Sequence, residues 1–342
     1  MPVKILINPI ARARGGQYLW NTLKAACARL GYVEGKDYSL EWTHAGHAVE
    51  QAYRAAAEWD RVVAVGGDGT VRAVAEGLFK AGTGAALGVL PQGTGNDFAR
   101  VTGVYQLWTR RRMLGVAEIV KRLFAGPTEA VDVLSLNDQT FFMCYCGVGW
   151  DALVCRAYTQ LRRHPTMQAV LRRRLINECV YAMLAVRYCL TRLPSLSLQL
   201  DTPEIGWTAG DIPPGASAVI VSNVASYAGG VPLTPGSSSA DGLFEVTPIA
   251  RPWLFAFLVM SRYWRRLRHF CPLESRRVRG LRLALPGGCA LQVDGDDATG
   301  VLTNDTSLSI RVAGQIPVVH ALASLDLSAR RTAPSPTGRG LE

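Results

Sequence analysis

The chain has no CxxC pair, no histidine spaced against cysteine or carboxylate at a ligand interval, and no apolar run near the ~20 residues that cross a bilayer. The first absence argues against a redox or zinc module, the second against any zinc site at His44, His47, His164, His269 or His320. The third leaves only peripheral membrane contact, since even Trp253–Met260 is far too short to span. The opening segment, Met1 to Ile7, has too short an apolar run for a secretory signal. With it, the 8 scattered cysteines are expected to be buried thiols in a reducing cytoplasm. Acidic residues are also scarce. The 27 Asp and Glu face 37 Lys and Arg, a formal charge of +10, which favours an anionic partner.

What is present is core-forming material. With 342 residues and 49% hydrophobic content, the chain can bury two moderate cores. Short β-branched runs at Val3–Ile7, Tyr38–Trp42, Arg61–Val65 and Leu87–Leu90 alternate with helical patterns at Gln17–Leu30, Ala48–Trp59 and Val71–Phe79. That alternation predicts an α/β fold whose N-terminal part is a doubly wound parallel sheet, with ligands outside the carboxyl ends of its strands. After Gly126-Pro127 the runs pair up, from Ala130–Leu136 and Thr140–Cys146 through Ser307–Val312. They predict a second, antiparallel, β-sandwich-like domain with helical insertions near 151–193 and 252–269. The expected division is 1–127, 128–312, a segment 313–327 packing back on the first domain, and a disordered tail 328–342.

The sharpest local signal is Gly66-Gly67-Asp68-Gly69-Thr70 at the end of a strand and the start of a helix. Glycines there let backbone approach a phosphate, and the helix start supplies N–H groups and a positive dipole end. Asp68 among them is suited to Mg²⁺ bridging phosphate oxygens. A tight turn needs at most two of these glycines. A second glycine-rich turn, Pro91-Gln92-Gly93-Thr94-Gly95-Asn96-Asp97, follows the next strand. Its Thr94 hydroxyl and Asn96 amide can meet polar ligand edges, and Asp97 can cap the following helix.

These two motifs, the second continuing as Phe98-Ala99-Arg100, resemble the catalytic domain shared by diacylglycerol kinases, sphingosine and ceramide kinases and the soluble bacterial lipid kinases. Asn8-Pro9, Thr43, Ser222-Asn223, Gly229-Gly230, Ala240-Asp241-Gly242-Leu243-Phe244 and Val293-Asp294-Gly295-Asp296 extend the likeness over roughly residues 3–312. The resemblance implies an ATP- and Mg-dependent lipid kinase. ATP would contact Asn8, Pro9, Thr43, Gly66, Gly67, Asp68, Gly69, Thr70, Val71, Arg72, Gly93, Thr94 and Asn96. Mg²⁺ would be held by Asp68 and, in the second domain, by Asp241 with backbone carbonyls near Ser238 and Leu243. Asp294 and Asp296 match the family's Asp-Gly-Glu segment and would, with Asp68, be catalytic. A lipid hydroxyl must lose its proton as the phosphoryl group arrives, and either carboxylate could take it. Read without the resemblance, Asp294–Gly300 is ordinary hairpin chemistry. Asp296 stands where the family has Glu, and Ile10–Gly16 stands where it has Ser-Gly, so Arg12 or Arg14 could supply guanidinium contacts.

Between Asp151 and Glu178 there is no acidic residue, but Arg156, Arg162, Arg163, Arg172, Arg173 and Arg174 occur. They are candidates for an anionic membrane surface. Leu171, Leu175, Cys179, Met183, Val186 and Leu190 form an apolar stripe expected to be core. Trp253–Met260 is expected to pack in the second domain, whereas Tyr263-Trp264-Arg265-Arg266 could pack inside or dock at headgroups. No nucleic-acid motif accompanies the arginines, so none is expected as partner. The rival readings are a NAD-kinase-like small-molecule kinase, which shares the Gly-Gly-Asp-Gly turn, and a non-catalytic membrane or nucleic-acid binder.

Overall fold

The structure, a computed structural model, describes all residues except 11–14, 112–114, 172–173, 251–252, 254–272, 287, 303–306 and 322–342. The expected tail and, apart from Trp253, the expected helix near 252–269 lie outside the described residues, as do Arg12, Arg14, Arg172 and Arg173.

Strand β1 (Val3–Ile7) pairs in parallel with β2 (Tyr38–Trp42) on one side and β3 (Arg61–Gly66) on the other, and β4 (Ala86–Pro91) lies parallel beyond β3. Every position of β3 and β4 is buried, because helices cover both faces of the sheet. The crossovers are α1 (Gly15–Arg29), α2 (Ala48–Glu58) and α3 (Asp68–Ala81). The chain leaves β1 toward β2 and returns to β3 on the opposite side, so the loops after β1 and β3 part at a topological switch point. α2 and α3 cross at Gly77, where a Cβ would lie 2.3 Å from the Val49 carbonyl oxygen and 2.7 Å from the Ala52 Cβ. Gly77→Ala is therefore expected to force the helices apart and cost about 2 kcal/mol or more, measured as a lower urea midpoint, even though alanine is the better helix former.

Among the described residues, helices α4 (Asp97–Val101), α5 (Val104–Thr109) and α6 (Val116–Ala125) lead to β5 (Thr128–Leu136) and β6 (Thr140–Phe142). β7 (Tyr145–Gly149) precedes a helical insertion of α7 (Trp150–Arg163), α8 (Pro165–Leu171) and α9 (Arg174–Arg187). The remaining strands are β8 (Ser197–Thr202), β9 (Gly206–Gly210), β10 (Ala218–Ser222), β11 (Ser226–Tyr227), β12 (Val231–Pro232), β13 (Phe244–Ile249), β14 (Arg276–Val278), β15 (Gly280–Ala284), β16 (Leu291–Val293), β17 (Asp296–Asp297) and β18 (Ser307–Val319).

One antiparallel sheet runs β14-β13-β10-β7-β16-β17, while the parallel sheet continues past β4 as β18-β15-β8-β9, with β5 and β6 alongside β18. The mixed α/β character and antiparallel second half agree with the sequence reading, but the parallel sheet does not end where the antiparallel part begins. β18 carries it across, pairing with β5 along its length and with β4 at Val318↔Leu87. A shared core, including Leu134, Phe142, Val148, Val219, Val246, Leu283, Leu291 and Ile310, fills the space between the two sheets.

Two local expectations are corrected. The run Thr140–Cys146 is not one strand. It breaks at Met143-Cys144, whose N–H groups turn to the Asp294 carboxylate instead of a neighbouring strand. The stripe read as core is mostly solvent-facing. Leu171 is buried, but Cys179, Met183, Val186 and Leu190 are exposed, because α9 buries its other apolar face, carrying Asn177, Tyr181, Leu184 and Ala185. Among the described residues no helix is long and apolar enough to cross a membrane.

Candidate functional site

β3 ends in Gly66 and hands over to α3 through Gly67, whose carbonyl accepts from the Thr70 and Val71 N–H groups and leaves those of Asp68 and Gly69, in the first turn, without an intrahelical acceptor. Gly66 and Gly93 have no room for a side chain: a Cβ at Gly66 would lie 2.5 Å from the Thr70 hydroxyl, and one at Gly93 would lie 2.6 Å from the Gly67 Cα. The two glycine-rich turns thus pack backbone against backbone, the close approach that their sequences anticipate. Asn8 joins them from the end of β1. Its N–H donates to the Val65 carbonyl at 2.9 Å, and its Nδ2 donates to Thr70 Oγ1 at 2.9 Å.

The second turn is folded by Asn96, which sits at φ 53°. Its Oδ1 accepts from the Gly93 N–H at 2.8 Å and its Nδ2 donates to the Gly93 carbonyl at 2.7 Å, so both ends of the amide shape the loop. The Asn96 N–H donates to Asp68 Oδ2 at 2.7 Å, tying the second turn to the carboxylate of the first. Thr94 accepts a 3.4 Å hydrogen bond from Asn177 Nδ2 of α9. Thr43 is buried, with its N–H bonded to the Ile7 carbonyl, and Val71 is a core side chain that reaches the site only through its backbone. Pro9 is exposed beside Asn8.

Three carboxylates from distant parts of the chain converge here. Burial, then the charges of Asp97 and Asp294, push Asp68 up to about 7. Burial raises Asp97 too, against hydrogen bonds from the Gly229 and Gly230 N–H groups (2.9 and 3.1 Å) and the Tyr145 hydroxyl (3.0 Å). Sequence reasoning placed Asp97 in the second turn, as a helix cap and loop support, and not among the clustered carboxylates. Its signal was the Gly229-Gly230 pair, whose positive φ values turn N–H groups toward it. Asp294, at φ 49°, accepts from the N–H groups of Met143, Cys144 and Tyr145, yet burial still pushes it up to about 6.

Asp296 differs from Asp294 in every respect. Its side chain is 49% exposed and faces the first glycine turn, with its Oδ2 where a Gly69 Cβ would come within 2.6 Å. Arg72 of α3 approaches it at 3.7 Å, while the buried Arg72 Nε has no partner among the described residues. The structure therefore brings Asp68, Gly69, Arg72, Asp294 and Asp296 together, and turns only Asp296 outward.

A buried relay sets the Asp296 turn. Asp151 Oδ2 accepts from Gln292 Nε2 at 3.2 Å and from the Tyr227 hydroxyl at 3.0 Å, and Gln292 Oε1 accepts from the Gly295 N–H at 2.9 Å. Gly147 leaves the space for it, since a Cβ there would fall 1.9 Å from Asp151 Oδ2. No motif in the sequence announces Asp151 or Gln292.

Asp241 stands apart from this group. It pairs with the Arg277 guanidinium and accepts from the Leu243 N–H at 3.1 Å, while Ser238 Oγ accepts from the Ala240 N–H. Neighbouring Glu245 is pushed up to about 7 by burial, with Arg277 opposing and the Asp241 charge adding, and its buried Oε2 has no hydrogen-bond partner among the described residues. The Arg277 guanidinium serves both carboxylates, so a hard divalent cation held by Asp241 would take the guanidinium's place. In the cluster of Asp68, Asp97 and Asp294 three carboxylates face the charges of Arg72 and Arg100, and among the described residues no three His, Cys, Asp or Glu side chains are disposed as a complete metal site.

Comparison with known proteins gives one consistent result. Residues 2–136 match the family described as diacylglycerol kinase catalytic domain, and residues 141–297 match the diacylglycerol kinase accessory domain. A probable lipid kinase YegS-like of Pseudomonas putida is 28% identical over 217 residues, covering 63% of this chain and 64% of its own length. A diacylglycerol kinase of Bacillus subtilis is 28% identical over 229 residues, 66% of this chain and 67% of its own. The match thus spans less than two-thirds of the Pseudomonas protein. A crystal structure of a putative diacylglycerol kinase from Bacillus anthracis superposes with a TM-score of 0.67 at 18% identity, covering 94% of this chain and 98% of that one, a likeness of fold.

Proposed function

The chain belongs to the diacylglycerol kinase family, in both its catalytic and its accessory part, and from that premise we propose that it transfers the γ-phosphoryl group of ATP to the hydroxyl of a membrane lipid such as a diacylglycerol or a sphingolipid. The observation that carries this reading is the backbone contact of two glycine-rich turns, Gly67 on Gly93, beside the Arg72 guanidinium. Backbone N–H groups at a helix start, with a guanidinium beside them, suit a polyphosphate. In this reading residues 1–127 bind nucleotide and 128–312 bind lipid, on the cytoplasmic face of a membrane. Asn8, Pro9, Thr43, the Gly66–Arg72 turn, Gly93 and Thr94 line the nucleotide, and Asn96 holds their loop in shape.

Asp68 would hold Mg²⁺ at the phosphates, and Asp241 would hold another with carbonyls near Ser238 and Leu243. When bound, the ion at Asp68 supplies charge neutralisation across the phosphate oxygens. The protein's own contribution is proton transfer and placement. Asp296, half-exposed and aimed at the phosphate turn, is positioned to accept the lipid hydroxyl proton. Asp294, spent on backbone N–H groups, fixes the turn that presents it.

Gln292→Leu should release the Gly295 N–H and loosen Asp296. The expected result is a turnover number lower by roughly tenfold to a hundredfold with little change in KM for ATP. An unchanged turnover number would assign the relay to folding alone. The function itself is tested by incubating purified protein with Mg²⁺ and γ-labelled ATP over a panel of diacylglycerol, sphingoid base, ceramide and phosphatidylglycerol, with NAD as the competing acceptor. Label in a lipid supports the proposal, whereas label only in NAD, or in neither, sinks it.

A further inference from the structure

Helix α9 has two apolar faces with different neighbours. Its inner face meets the site, where Asn177 donates to Thr94 Oγ1, Tyr181 stacks on Tyr158 of α7 at 4.1 Å, and the Ala185 carbonyl accepts from Trp150 Nε1 at 2.9 Å. Its outer face carries Met183, 66% exposed, and Val186, 71% exposed, and the stripe continues to Leu190, 81% exposed, just past the helix end. Single exposed apolar side chains are ordinary, but three at helical spacing make a contiguous ridge.

The charges around the ridge say what covers it. Arg187 is exposed within it, and α7, packed alongside through the Tyr158–Tyr181 stack, ends in exposed Arg162 and Arg163 followed by His164. No acidic residue lies between Asp151 and Glu178. A second copy pairing through this face would oppose Arg187 to its own kind, whereas acyl chains below anionic headgroups match both the ridge and its cations. We propose that the outer face of α9, with Met183, Val186 and Leu190 inserted and Arg162, Arg163 and Arg187 on the headgroups, seats the protein on an anionic bilayer. The proposal rests on the lipid-kinase reading and adds its geometry: a helix about 10 Å thick separates the bilayer from the Thr94 loop.

The test is flotation, without nucleotide, on vesicles of phosphatidylcholine alone or with about one-third phosphatidylglycerol. The wild type should favour the mixed vesicles. Met183→Ser/Val186→Ser/Leu190→Ser should bind them more than about tenfold more weakly, and Arg162→Glu/Arg163→Glu should lose the preference for anionic lipid. All three positions are exposed, so melting temperatures should stay within about 2 °C of wild type; Leu190→Glu alone serves if the triple variant melts early. Unchanged vesicle binding by the serine variant, equal binding of wild type to both vesicles, or a wild-type dimer that the serine variant converts to monomer would each overturn the proposal. Vesicle binding needs no phosphoryl transfer, so loss of label in the lipid panel with intact binding counts against the kinase reading alone. Should both hold, the serine variant should lose turnover on vesicle-embedded acceptor and keep it on a short-chain, water-soluble one.

Discussion

Replacing Asp68 with asparagine is expected to lower phosphoryl transfer by about three orders of magnitude while raising the melting temperature of the nucleotide-free protein at pH 8 by a few degrees. The opposite signs come from one cause. Asp68 sits with Asp97 and Asp294, and burial with their charges pushes it up to about 7 from an ordinary value of 3.8. Because the folded pKa is the higher one, the folded state binds more protons than the unfolded chain between about pH 4 and pH 7. Stability therefore falls as pH rises through that window and is flat above it. At pH 8 the ionised cluster is a net cost on the order of 1–2 kcal/mol, after discounting for coupling among the three groups. Asparagine removes one charge and can still accept the Asn96 N–H through its amide oxygen. The same reasoning predicts that millimolar Mg²⁺ stabilises the wild type at pH 8 and stabilises Asp68→Asn much less. Thermal melts at pH 5 and pH 8, with and without Mg²⁺, check the sign. A variant that melts earlier than wild type at pH 8, or retains more than a tenth of the activity, would show that Asp68 is a structural acid and not a metal ligand.

The part of this site legible in the sequence was the part built from consecutive residues. The Gly66–Thr70 and Gly93–Asn96 turns announce themselves because a backbone approaching another backbone demands glycine at adjacent positions. β3 and β4 were equally plain, since strands buried at every position read as apolar runs between helical patterns, while β1 and the edge strand β2 keep polar residues among their apolar ones. The convergence of acids was not plain. Asp97 becomes a member of the cluster only because Gly229 and Gly230, more than a hundred residues away, fold over it. Asp151 and Gln292 act through space on the Gly295 turn and leave no local pattern. The face of α9 was misread for a different reason: the residues at 177, 181, 184, 185 and 188 repeat at the same helical period as those at 179, 183, 186 and 190. Periodicity finds a helix with two apolar sides and does not say which side a neighbour covers. β18 was seen only in its first half, because its later residues owe their strand to β5 and β4 rather than to their own alternation.

The second large effect is expected at Asp296. Asp296→Asn keeps the shape of the side chain and removes its basicity, and should lower the turnover number by between about a hundredfold and ten-thousandfold, with KM for ATP nearly unchanged. The contrast with Asp294 decides whether the assignment is right. Asp294 is buried and accepts three backbone N–H groups, so Asp294→Asn disturbs the turn and should cost stability along with activity. Among the described residues Asp296 accepts no such bond, and it lies half-exposed against Gly69, so its asparagine variant should melt with the wild type. Gly69→Ala gives an independent check, since the new Cβ would come 2.6 Å from Asp296 Oδ2 and drive that carboxylate off the phosphate turn. Its turnover should fall in the same direction as Asp296→Asn, and combining the two should add little, because both remove one function. Additive losses, or an Asp296→Asn enzyme still working at near wild-type rate, would move the proton acceptor from Asp296 to another carboxylate of the cluster.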